Sequence, residues 1–89
     1  MVQINYNLYR YFFAVMEHGT ISQAAKELGC SQPTVTYSLQ TLAKDLGTAL
    51  FVVGRHGVEP TPNAIALHQA LKPYYVGFTQ VVTNFTRSV

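Results

Sequence analysis

Between Gln32 and Leu46, the residues Val35, Leu39, Leu42 and Leu46 recur at steps of four, three and four. On an α-helix turning about 100° per residue these four fall in one narrow apolar stripe. Opposite the stripe lie Pro33, Tyr37, Gln40 and Lys44, with Thr36 and Thr41 at its flanks. Those side chains could do the chemistry of nucleic-acid contact. A glutamine amide pairs bidentately with adenine, a threonine hydroxyl bonds a base or a phosphate, and a lysine ammonium meets phosphate as a point charge. The Tyr37 phenol can donate to a phosphate or stack on a sugar. An ordinary solvated polar face has the same composition, and the spacing alone does not choose between the two.

A second candidate lies at Gly54-Arg55-His56-Gly57, a glycine-flanked turn carrying two cation-forming side chains. Arg55 and His56 at its tip could contact phosphate or enter a minor groove. A solvated charged turn is the alternative. If His56 contributes, its protonation below an unperturbed pKa of ~6.5 should strengthen binding.

Other reactive side chains lack the company that catalysis requires. His18, His56 and His68 have no metal-like spacing and no carboxylate at matching helical steps, so neither a metal site nor a cofactor is expected. There is no nucleophile motif and no glycine-rich phosphate loop, and no enzyme is expected. The single cysteine, Cys30, rules out an internal disulfide and a cysteine zinc cluster. A lone cysteine in a tight turn is more often a small buried hydrophobe than a redox sensor.

These residues must be held by short elements that the punctuation of the chain defines. Asn5 can cap a helix running to about His18 and closed by Gly19, with Tyr6, Tyr9, Phe12, Phe13 and Met16 on one face. Thr20 opens a second helix as a capping box with Gln23, and Gly29 ends it. Ala24, Ala25 and Leu28 make its inner face, small enough to let another helix approach closely. Ser31 caps the third helix, Pro33 is tolerated in its first turn, and Gly47 stops it. Two short helices joined through Gly29-Cys30 make a helix-turn-helix. Ala49–Val53 then reads as a strand, and Val58–Pro60 as its return strand, kept at an edge by Pro60. A hairpin in that place is a wing.

Thr61 and Pro62 begin a helix that runs to about Thr86. Within it Leu67, Leu71, Tyr74, Phe78, Val81 and Phe85 alternate steps of four and three, the heptad seam of a two-helix contact. A helix of this length spans almost 40 Å, too long for its seam to be spent on so small a body, so pairing with a second copy is expected. Pro73 and Gly77 lie inside it, where a kink is expected.

Composition sets the outer bounds. An 89-residue chain allows one small domain, and with 48% hydrophobic and 11% charged residues it is too apolar for a disordered tail. The net charge is +2. Over residues 1–60, Arg10, Lys26, Lys44 and Arg55 cancel Glu17, Glu27, Asp45 and Glu59, which leaves Lys72 and Arg87 as the excess. Without a basic stripe, DNA affinity per monomer should be modest. Neither a signal peptide nor an apolar run of the ~20 residues a membrane span needs is visible, and a cytoplasmic location is expected.

The run Ala24-Ala25-Lys26-Glu27-Leu28-Gly29-Cys30-Ser31-Gln32-Pro33, with Leu46-Gly47 and Leu50-Phe51 downstream, resembles the N-terminal domain of LysR-type transcriptional regulators. Thr61 and the Leu71-Lys72-Pro73-Tyr74 stretch look like the family's linker helix, so the resemblance covers essentially the whole chain. It implies a mainly α fold: a winged helix-turn-helix of three helices and a two-stranded wing over residues 1–60, then a linker and dimerisation helix over 61–89. It also implies double-stranded DNA as partner and a homodimer formed through the linker helix. By position, Gln32, Pro33, Thr34, Thr36 and Tyr37 would face DNA, with Arg55 and His56 on the wing. Three departures stand out. Tyr37 replaces a frequent arginine, Val53 a frequent basic residue, and Thr61-Pro62-Asn63-Ala64 the usual T-x-A-G opening. The missing charges count against strong or conventional operator binding, though not against the fold. The family's effector-binding region follows the linker helix, so no effector is expected on this segment. The rival expectation is a winged-helix protein-interaction module with little DNA affinity, in keeping with the balanced charge and the neutral Tyr37.

Overall fold

The computed structural model describes residues 4–55 and 57–88. Three helices form the body: α1, Tyr6–His18; α2, Ile21–Leu28; and α3, Gln32–Leu46. Each starts and stops where side-chain chemistry requires. The Asn5 side chain accepts the N–H of Asn7, Thr20 that of Gln23, and Ser31 that of Thr34, satisfying donors that a first turn leaves orphaned. Gly19, Gly29 and Gly47 close the three helices with φ of +83°, +69° and +70°, a left-handed conformation that costs other L-residues about 1–2 kcal/mol. At the helix-turn-helix junction the Cys30 N–H returns to the Ala25 carbonyl at 3.0 Å. Cys30 itself is half-buried against the core.

The apolar faces of the three helices converge. Phe12, Val35, Leu42 and Leu50 are fully buried, and Ala24 and Ala25 let α2 sit close to its neighbours. The stripe inferred for α3 faces this core, with Leu46 half-buried at its end. Ser38 joins the buried face because its hydroxyl donates to the Thr34 carbonyl at 2.9 Å.

The wing comprises β1, Phe51–Gly54, and β2, Gly57–Pro60, antiparallel with Phe51 opposite Pro60 and Gly54 opposite Gly57. The first strand thus begins two residues later than the sequence suggests. Ala49 and Leu50 are used otherwise: both carbonyls accept the Thr61 hydroxyl, and Leu50 also accepts the Thr61 N–H. This anchors the start of α4, Pro62–Ser88, beside the wing. The Asn63 amide donates to Thr48 at 2.8 Å, and Ala64 is fully buried in the common core. Helix α4 is continuous through Pro73 and Gly77, where the Thr79 hydroxyl donates to the Tyr75 and Val76 carbonyls.

Candidate nucleic-acid interface

Packing α3 on α1 and α2 leaves its opposite face open. There Gln32, Pro33, Thr36, Tyr37 and Gln40 line one shallow surface depression. Gln32, Pro33 and Gln40 are exposed and Thr36 is half-buried, while Tyr37 stands 71% exposed despite its size. Two amides, a hydroxyl and a phenol therefore converge on one shallow surface that opens to solvent, with only Thr36 half-buried. Such a surface can offer hydrogen bonds to a flat partner that brings donors and acceptors of its own.

The other sequence-derived positions are placed differently. Thr34 is exposed but lies outside the depression, its hydroxyl within 2.9 Å of the Ser31 hydroxyl at the helix cap. Lys44 is exposed one turn beyond Gln40, where it extends the same face. Arg55 is exposed at the hairpin turn, and His56 lies outside the described residues. Val53, on the wing, is 89% exposed, so the wing presents an apolar side chain beside its arginine.

Along α4 the seam divides in two. Leu67 and Leu71 are half-buried against the body, while Tyr74, Phe78, Val81 and Phe85 are 63–76% exposed. Sequence reasoning missed the contact between α1 and α4. Phe13 stacks on Tyr75 at 4.2 Å between ring centroids, and His68 leans on Phe13 at 5.2 Å. His68 Nε2–H donates to Glu17 Oε1 at 3.1 Å, and Lys72 Nζ lies 3.4 Å from the same oxygen. The His68 hydrogen bond is the main cause holding the Glu17 carboxyl below the ordinary glutamate value of 4.5; Lys72 adds to it, and partial burial opposes it. The residues are 51 positions apart, so no local pattern could have signalled the pair.

Residues 6–65 match the family model described as bacterial regulatory helix-turn-helix protein, lysR family. The chain belongs to the LysR family. Among curated members, the HTH-type transcriptional regulator ClcR of Pseudomonas putida is 50% identical over 52 residues, covering 58% of this chain and 18% of ClcR. TfdS of Cupriavidus pinatubonensis, also an HTH-type transcriptional regulator, is 40% identical over 73 residues, 81% of this chain and 25% of TfdS. The chain thus spans about a fifth to a quarter of those relatives' length. Among solved structures, the BenM_DBD/catB site 1 DNA complex matches with a TM-score of 0.82 at 28% identity, over 94% of both chains. The CbnR_DBD-DNA complex matches with a TM-score of 0.77 at 29% identity, over 96% of this chain and 97% of that one. These similarities agree with the LysR-type winged helix-turn-helix inferred from the sequence. Among the described residues, no helix is long and apolar enough to cross a membrane.

Proposed function

We propose that this chain is the DNA-binding segment of a bacterial LysR-type transcription regulator. Residues 1–60 form the reading head and 61–89 the linker helix through which two copies pair. The observation that carries the reading is the open face of α3, where Gln32, Pro33, Tyr37 and Gln40 stand exposed together around a half-buried Thr36. Its scaffold resembles the BenM and CbnR domains whose structures are DNA complexes. Each protomer lays α3 in one major groove, the two grooves ~34 Å apart or a multiple of that. Gln32, Thr34, Thr36 and Gln40 read base edges; Tyr37, Lys44, Arg55 and His56 contact the backbone, with Pro33 packed between them. The exposed half of the seam, Tyr74, Phe78, Val81 and Phe85, supplies most of the dimer contact, and Leu67 and Leu71 flank it. The segment works in the cytoplasm, by binding rather than catalysis, and leaves effector recognition to other parts of a regulator.

Selection from a random pool of DNA duplexes tests this reading. The expected product is a two-fold-related pair of half-sites with a fixed centre-to-centre spacing. Recovery of sequences no different from the starting pool would contradict it.

A further inference from the structure

Helix α4 starts at the Thr61 anchor, lies on the body through Leu67, Leu71 and Tyr75 and then runs beyond it, and something must fix its direction. A glutamate in the last turn of α1 is locally unfavourable, because the negative end of the helix dipole lies there. Glu17 nonetheless occupies that turn, where it meets two side chains from α4, His68 at 3.1 Å and Lys72 at 3.4 Å. His68 is only 16% exposed and leans on Phe12 and Phe13, and Tyr75 stacks on Phe13 with its plane within 6°. All these contacts join the same two helices, and all lie beyond the anchor at Thr61.

We propose that Glu17, with His68 and Lys72, is a positioning clamp that sets the angle of α4 on the body and thereby the spacing of DNA half-sites the dimer accepts. This rests on the dimeric DNA-binding reading above. The leverage is large. Pro62 to Phe78 is roughly 24 Å of helix, so a swing of about 10° displaces Phe78 by ~4 Å, about one base-pair step of ~3.4 Å. An exposed ion pair contributes little to stability, but it can select among nearby angles that the aromatic contacts alone tolerate. The charged group of each partner stays accessible, Glu17 being 49% and Lys72 52% exposed, so replacement of Glu17 leaves the core intact.

The test uses the chain on its selected duplex and on duplexes with one to three base pairs inserted or removed between the half-sites. Glu17→Ala and His68→Gln are compared with wild type, with affinity for an isolated half-site as control. The expected result is that preference for the best spacing falls about fivefold or more in both variants, or moves by a base pair, while half-site affinity is unchanged. Glu17→Asp, which keeps the charge, should restore part of the preference. A wild-type preference retained in both variants overturns the clamp alone. A wild-type chain with no preferred spacing overturns the dimeric reading, and the clamp with it.

Discussion

At the scale of single residues, side chains proposed to read DNA and those proposed to hold it should respond differently to replacement. Gln32 is exposed in the α3 depression and can pair bidentately with a base. Replacing it with alanine should cost ~1–3 kcal/mol on the preferred site and relax specificity at one position. Lys44→Ala should instead weaken all duplexes alike and reduce the salt slope by about 1. Affinities on a panel of single-base variants distinguish the two, and equal losses everywhere for Gln32→Ala would remove its reading role. Most of these positions were legible in the sequence because a helix wheel separates buried from open faces. Thr34 entered through the family resemblance rather than the wheel, and its hydroxyl lies 2.9 Å from that of Ser31 at the cap, a pairing set by the local turn.

At the scale of elements, caps and stops carry the fold. Ser31 begins the helix that bears the interface, so Ser31→Ala should cost about 1 kcal/mol of stability. Thermal unfolding should show this as a fall of several degrees in Tm, about 4–8 °C for a domain of 60–100 residues. The Glu17 clamp gives α1 and α4 a pH dependence of known sign. A carboxyl held below its ordinary value stabilises the fold above that value, and the contribution is lost as pH falls through the folded pKa. The Tm difference between wild type and Glu17→Gln should therefore be present at pH 7 and close below pH 4.5. A difference that stays constant into acid would show that the carboxylate charge contributes nothing. Asparagine, threonine, serine and glycine announced the helix ends because each satisfies a backbone group within a few residues of itself. The first wing strand begins later than its apolar run because Thr61 captures the Ala49 and Leu50 carbonyls, a contact made across 11 or 12 residues.

At the scale of the whole molecule, the seam of α4 divides between the chain's own body and an open stretch. The heptad spacing was visible in the sequence, but its division was not. Spacing records which side chains share a face; it does not say that Leu67 and Leu71 rest on the chain's own core while Tyr74, Val81 and Phe85 stand open and Phe78, though largely exposed, stacks on Tyr6. Val81 is 69% exposed, so Val81→Asp should leave the helical circular dichroism unchanged and shift the chain to monomer in sedimentation velocity. An unchanged sedimentation coefficient would move the dimer contact elsewhere. The monomer should also bind DNA far more weakly, since two linked heads gain by effective concentration.

The central claim, that this fold serves to bind DNA, is tested most directly by fluorescence anisotropy of the purified chain on a random-sequence duplex at two salt concentrations. The expected result is binding at low salt that falls steeply as salt rises, because lysine and arginine contacts release condensed counterions. No binding at low salt, at concentrations where sedimentation shows a dimer, would contradict it and leave a winged-helix protein-interaction module as the reading to pursue.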